Sequence, residues 1–382
     1  VVLTGGGTGG HIYPALAISQ EVLAREPDSE LLYIGNVRGL ESRVVPQRGI
    51  RFEALDVTGF RRSLSWHNVR TVWRFLAGVR RAKGLLRQFR PDIVVGTGGY
   101  VCGPVVYAAA RLGIPTLIHE QNVVPGLANR FLARYAQAVA YSFADSEAHF
   151  RRLTAGRFRD KGGVRLLHSG NPCASAAAAA SPDKGFASLG FAPGTPFVLV
   201  VGGSGGAKAI NEAAAAMVPL MDRLPDVRFV FVTGDKYYEE IAAGVGGSPP
   251  ASDGRLKILP YIHNMPEVLA AASLVVSRAG ASFLAEITAI GVPAILIPSP
   301  NVTGNHQQPN AESLAREGAA VMLLERELTG ETLFGHIAAI MRDPARRRSM
   351  AAASRALGKP EAAALIYEEM RRLTAAATPN RQ

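Results

Sequence analysis

Three glycine-rich stretches carry the residues that could do chemistry: TGGGTGGH at Thr4–His11, GTGGYVCGP at Gly96–Pro104 and GGSGGAKAIN at Gly202–Asn211. Glycine adopts positive φ and lets a ligand approach the main chain closely. A helix starting just beyond adds free N–H groups and the positive end of its dipole, so such a loop can hold an anion. A single loop of this kind serves equally well to turn a strand into a packed helix. Three, two of them in corresponding positions of two halves, point to a phosphate-bearing substrate. No GK[ST] follows any of them, which argues against a nucleoside-triphosphate hydrolase. The first loop has too many glycines for the dinucleotide fingerprint, with a histidine where that motif wants a small residue. His11 falls at a helix start, where the dipole disfavours imidazolium and a neutral, proton-accepting ring is expected. The plainer role is a histidine that caps the helix or bonds a loop carbonyl.

The elements that must position these loops follow from periodicity. Val1–Leu3 runs into the first glycines, and Ile12, Leu16 and Ile18 then recur at helical spacing. Further apolar runs predict strands at Leu31–Ile34, Ile93–Val95, Thr116–His119 and Ala138–Ser142, with helical segments between. Near Gly170–Gly185 the composition turns to small residues and proline, and this is the linker candidate. The pattern restarts at Phe197–Val201 and continues with strands at Arg228–Thr233, Leu256–Pro260, Leu274–Ser277, Ala294–Ile297 and Ala320–Leu323. This alternation describes two α/β domains with parallel sheets, a duplicated Rossmann-like plan.

At 382 residues and 48% hydrophobic content the chain suits two cores. Cys102 and Cys173 are its two cysteines and have no paired spacing, so neither a disulfide framework nor a zinc site is suggested. No apolar run is long enough to cross a bilayer. The formal charge of +11 implies an anionic partner. From Val57 to Pro91 acidic residues are absent, while Arg61, Arg62, Arg70, Arg74, Arg80, Arg81, Lys83, Arg87 and Arg90 accumulate among Phe60, Trp66, Trp73 and Phe75. That mixture suits a peripheral membrane surface. The competing expectation is a solvated basic helix whose Trp73, Leu76 and Val79 face the core.

TGGGTGGHIYPALA, GTGGYVCGP, HEQNVVPGLANR, GNP, GGSGGA, RAGASFLAEI and HQQPNA, in this order over nearly the whole chain, closely resemble the MurG family. That family moves N-acetylglucosamine from UDP-GlcNAc onto the 4-hydroxyl of MurNAc in lipid I, forming lipid II for peptidoglycan. The resemblance implies the α/β GT-B architecture, two Rossmann-like domains facing a central cleft. An acceptor and membrane domain over residues 1–168 would be joined by a C-terminal helix at about 355–382 packing back on it. A UDP-GlcNAc domain would cover 169–354. It implies inversion at the sugar with no cofactor and no metal, in keeping with the missing Asp-x-Asp. It also implies a place on the cytoplasmic face of an anionic membrane, contacts with other cell-wall synthesis proteins, and no nucleic acid.

Carried over residue by residue, Ile262 would read uracil through its backbone and Glu286 would accept both ribose hydroxyls. Ser204 and the helix start Ala281, Ser282, Phe283 and Leu284 would hold the diphosphate. Gln307 and Asn122 would bind sugar hydroxyls, and Thr8, Gly9 and Gly10 would close the cleft from the acceptor side. His11 would be the general base, with Glu120 the second candidate and His119 structural. The chain departs from the family after GNP, where Cys173 and Ala174 replace an expected arginine; Lys208 could substitute for it. The alternatives are a transferase acting on another lipid acceptor and a non-catalytic UDP-sugar-binding cell-wall scaffold.

Overall fold

The structure, a computed structural model, describes residues 1–59, 66–155 and 163–377, and leaves out the side chains of 66–69 and 303. Phe60, Arg61, Arg62 and the Trp66 side chain, part of the basic stretch above, lie outside the described residues. The chain divides into two compact units: Val1–Cys173 with the segment from Glu361 onward, and Ala174–Pro360.

The first unit holds seven strands, β1 (Val2–Thr4), β2 (Leu32–Asn36), β3 (Arg51–Leu55), β4 (Val94–Gly96), β5 (Thr116–Glu120), β6 (Ala138–Tyr141) and β7 (Arg165–His168). They form one parallel sheet in the order β3-β2-β1-β4-β5-β6-β7. The five inner strands are buried along their length, as a sheet covered on both faces requires. On one face the helix Gly9–Arg25 sets Ile12, Leu16, Ile18 and Val22 against Leu3, Val95 and Leu117. Ile366, Tyr367, Met370 and Leu373 of the helix Ala362–Ala377 join that layer. Its Glu369 is almost fully buried and pairs with Arg165 of β7 and with Arg372. On the other face Val79, Ala82 and Leu86 of the helix Trp66–Phe89 pack with Val105, Val106 and Ala109 of the helix Cys102–Arg111. Each buried valine or leucine among them contributes about 1.5–3 kcal/mol. The edge strands β3 and β7 had no counterpart in the periodicity, because their residues are mostly half-exposed and partly charged.

The second unit holds β8 (Phe197–Val201), β9 (Arg228–Val232), β10 (Leu256–Leu259), β11 (Leu274–Ser277), β12 (Ala294–Leu296) and β13 (Ala320–Met322). All are parallel, in the order β10-β9-β8-β11-β12-β13. Ile210, Ala214 and Met217 of the helix Lys208–Met217 and Leu333, Ile337 and Ile340 of the helix Gly330–Met341 pack against Val198, Val200, Phe229 and Val276. The small-residue stretch read as a linker is not extended: it forms the helices Cys173–Ala178 and Pro182–Leu189. Alanine favours helix, and Pro182 at the first helical position costs nothing there. Gly185 is required for packing, since a Cβ would sit 2.1 Å from the Glu267 carbonyl oxygen of the helix Met265–Ala271.

In each sheet the strand order reverses beside its first strand, between β1 and β4 and between β8 and β11. In open α/β sheets ligands bind off the C-terminal ends of the strands at such a switch point. All three glycine loops leave strands that flank these two points.

Candidate functional site

In the first unit the loops after β1 and β4 meet backbone to backbone. The Gly6 N–H donates to Gly98 O at 3.2 Å. Gly99 has φ of +82°, and a Cβ there would lie 2.2 Å from Gly6 O, so its glycine serves close approach of the two loops. Two buried side chains hold this junction from beneath. The Cys102 thiol donates to Thr4 O at 2.9 Å and accepts from the Gly98 N–H at 3.2 Å. Burial pushes that thiol up to about 12, which keeps it protonated and unreactive. The Glu41 carboxylate accepts from the N–H groups of Gly7 at 3.2 Å and Asn36 at 2.9 Å.

His11 is the third residue of the helix Gly9–Arg25, and Thr8 is its N-cap, extended and without a side-chain capping bond. Thr8 and Gly10 are exposed, while Gly9 and His11 are half-buried. The ring does not cap the helix. Its Nδ1 lies 3.1 Å from Thr97 O and 3.1 Å from Gln121 Oε1. The ring packs against Gly98, where a Cβ would stand 2.7 Å from Nδ1.

Glu120 ends β5 fully buried, and both its oxygens are taken. Oε1 accepts from Asn122 N–H at 3.0 Å and Asn122 Nδ2 at 3.2 Å; Oε2 accepts from Gly126 N–H at 3.0 Å and Asn129 Nδ2 at 2.9 Å. It clamps the loop that carries Asn122. His119 is buried on the same strand and bonds Gly170 O at 2.9 Å. Nothing in the sequence reading gave Gln121 a role, since its partners are brought together only by the fold.

In the second unit the candidates again lie beyond the C-terminal ends of strands. Ser204 is exposed in the loop after β8, and Lys208 opens the following helix with Nζ 3.6 Å from Glu212. After β11 comes the helix Ala281–Ile290 with Gly280 as N-cap. Ala281 and Leu284 are buried, Ser282 and Phe283 half-buried. Arg278 just before it is ion-paired with Glu325 and donates to Ile297 O at 3.2 Å. The Ser282 hydroxyl is buried and has no hydrogen-bond partner among the described residues. Glu286, one turn on, keeps part of its side chain at the surface, yet desolvation by its surroundings raises the carboxyl to about 7. Ile262 is buried in the loop after β10. Gln307 opens the helix Gln307–Arg316, its Oε1 accepting from Ser299 N–H at 2.9 Å and its amide nitrogen without a partner among the described residues. Thr8–His11, Glu120 and Asn122 thus gather in one unit; Ser204, Ile262, Ala281–Leu284, Glu286 and Gln307 gather in the other. Cys173, at the expected arginine position, is buried, with its N–H on Asn171 Oδ1 at 3.1 Å.

On the helix Trp66–Phe89 the core reading of Trp73 and Leu76 is overturned: they are 73% and 58% exposed, while Val79 is buried. Leu127, 71% exposed, and Phe131 lie on the neighbouring helix Leu127–Leu132. A ring contact of Phe131 with Phe75 at 6.0 Å ties the two helices together, and one with Tyr107 at 5.9 Å ties in the helix Cys102–Arg111. Arg70, Arg80, Arg130 and Arg134 are exposed on or beside the same two helices. No described helix is long and apolar enough to cross a membrane.

Two family models match, the glycosyltransferase family 28 N-terminal domain over residues 1–141 and the C-terminal domain over 197–366. A relative from Halalkalibacterium halodurans is 49% identical over 369 residues, covering 96% of this chain and 97% of its own. It is named UDP-N-acetylglucosamine--N-acetylmuramyl-(pentapeptide) pyrophosphoryl-undecaprenol N-acetylglucosamine transferase. A relative of the same name from Listeria monocytogenes is 46% identical, covering 96% of this chain and 98% of its own. Among solved structures, MurG of Acinetobacter baumannii superposes with a TM-score of 0.74 at 28% identity, covering 97% of this chain and 99% of that one.

Proposed function

This chain belongs to the MurG family of glycosyltransferase family 28, and from that premise we propose how its residues divide the reaction it catalyses. That reaction transfers GlcNAc from UDP-GlcNAc to the 4-hydroxyl of MurNAc in lipid I, giving lipid II. The second unit takes the donor. The observation that carries this is the helix Ala281–Ile290, which leaves the sheet's switch point with an unpartnered Ser282 hydroxyl in its first turn and an unpartnered Glu286 carboxyl one turn later. A diphosphate at the helix start meets free N–H groups and the hydroxyl. A ribose one turn along gives the carboxylate two O–H donors. Ser204 and Lys208 add a second helix start toward the phosphates, the Ile262 backbone takes the base edge, and the free amide nitrogen of Gln307 reaches a sugar hydroxyl.

The first unit takes the acceptor, with Thr8, Gly9, Gly10 and Asn122 around it. As the 4-hydroxyl oxygen forms its bond to the anomeric carbon, the bond from that carbon to the diphosphate breaks and UDP leaves with the electron pair. The hydroxyl proton passes to Nε2 of His11, the ring nitrogen not engaged by Thr97 and Gln121. Glu120 serves as the clamp that places Asn122.

Attachment is peripheral, on the cytoplasmic face. Trp73, Leu76 and Leu127 enter the interface while neighbouring arginines meet anionic head groups, the residue mixture such a surface needs. Other cell-wall synthesis proteins meet the enzyme there. Incubation of the purified protein with labelled UDP-GlcNAc and a short-chain lipid I analogue should yield the labelled disaccharide product; label appearing only as free GlcNAc would remove the acceptor assignment.

A further inference from the structure

We propose that Gln121 and His119 are positioning residues that fix the proton of His11 on Nδ1 and so keep Nε2 bare to take the acceptor's proton. This rests on the reading of His11 as the base. The proton positions follow from carbonyl groups, which can only accept. His119 Nε2 is 2.9 Å from Gly170 O, so that nitrogen carries a proton. The ring is fully buried, and burial pulls it down to about 4, so it is neutral and its Nδ1 holds a lone pair.

Gln121 then has one orientation open to it. One end of its amide lies 2.7 Å from Thr97 O, 3.2 Å from His119 O and 3.0 Å from the His119 Nδ1 lone pair. Three acceptors around one atom make it the nitrogen. The oxygen therefore faces His11 Nδ1 at 3.1 Å, and Thr97 O lies at the same distance from that nitrogen. Two oxygens that cannot donate require the proton to be on Nδ1. A reversed amide would aim N–H at Nδ1 and favour the tautomer whose Nε2 is already protonated, which cannot act as a base toward the acceptor. When Nε2 takes a proton, both oxygens also stabilise the imidazolium, and neither can remove its charge. This differs from a histidine oriented by a carboxylate.

Ring nitrogen NMR on protein labelled with 15N-histidine reads the tautomer without turnover. The neutral His11 ring should show a protonated Nδ1 and a bare Nε2, assigned by loss of the signals in His11→Ala. Gln121→Leu keeps the bulk and removes the acceptor. It leaves Thr97 O as the one remaining acceptor on Nδ1, so the share of the Nε2-protonated tautomer should rise and kcat fall by about 2- to 10-fold, the worth of one hydrogen bond, with KM for UDP-GlcNAc unchanged. Gln121→Met carries the same test if the leucine variant does not fold. A wild-type ring protonated on Nε2 overturns the proposal, as does a Gln121 variant with the wild-type tautomer and full kcat. So does a variant whose apparent kcat falls only in proportion to its folded fraction. Failure of the base reading looks different: His11→Ala would keep its kcat whatever tautomer the spectra show.

Discussion

Ser282 and Glu286 stand one turn apart on the helix Ala281–Ile290, and neither side chain has a hydrogen-bond partner among the described residues. A hydroxyl and a carboxyl left so at a helix start are suited to a ligand with an anionic part and donor hydroxyls. Glu286→Ala should raise KM for UDP-GlcNAc tenfold or more with the fold intact by circular dichroism. UDP should inhibit better than TDP, which lacks the 2′-hydroxyl and leaves the carboxylate half-paired.

The same carboxyl predicts a pH dependence of donor binding. In the free protein it titrates at about 7, because desolvation disfavours its charge. Two ribose hydroxyls donating to it favour the ionised form, so its pKa falls in the complex and binding expels a proton below neutrality. Calorimetric UDP affinity should be level above about 7 and decline as pH drops below it; Glu286→Gln should flatten the profile. A level profile in the wild type contradicts the ribose assignment.

His119 carries a stability prediction of the opposite sign to an ordinary surface histidine. Burial lowers its folded-state value to about 4 from 6.5. The folded state therefore binds this proton less readily than the unfolded chain. The associated stability is present above 6.5 and lost as pH falls from there toward 4, a difference of about 3 kcal/mol at 1.36 kcal/mol per unit. Urea unfolding at pH 7 and pH 4.5 should show a smaller drop in His119→Leu than in the wild type, even though the variant is weaker at both.

For Glu120 the expected loss is of structure. Its four donors include two backbone N–H groups, those of Asn122 and Gly126. Bonds to a charged group are worth about 1.5–3 kcal/mol each. Glu120→Gln turns an N–H₂ toward two of those donors, so it should lower Tm nearly as much as Glu120→Ala. A Tm unchanged in both variants with kcat abolished would make Glu120 the base.

How far the chain could be read depended on what each feature rests upon. β1, β6 and β8 are apolar runs entering glycine loops or a polar turn, and such runs declare buried parallel strands. β3 (RFEAL) and β7 (RLLH) are edge strands that place Arg51, Glu53 and Arg165 toward solvent, so neither a run nor a clean alternation marks them. Trp73, Leu76 and Val79 look like one stripe, but each step of three residues turns the helix 60° short of a full circle. Over two steps Val79 swings to the core side and Trp73 outward. Glu120 and its loop partners lie within nine residues, which is local enough to suspect. The bond between Gln121 and His11 spans 110 residues and exists only because β1, β4 and β5 are neighbours.

The exposed apolar side chains of the helices Trp66–Phe89 and Leu127–Leu132 predict binding to anionic vesicles that weakens with salt, at about 1 kcal/mol per arginine near the surface. Trp73→Ala and Leu127→Ala should each reduce co-sedimentation without changing Tm, because both side chains are already in solvent. Equal binding to neutral and anionic vesicles at all salt concentrations would contradict this.

The central claim is that His11 takes the acceptor's proton, and single-turnover kinetics on His11→Ala with a soluble lipid I analogue test it most directly. A general base contributes about 10²–10⁴-fold. The account predicts that the rate of disaccharide formation falls by that factor while UDP affinity, set by the other unit, stays within twofold of wild type. A variant that forms product at the wild-type rate, or that loses UDP binding in place of turnover, would contradict it.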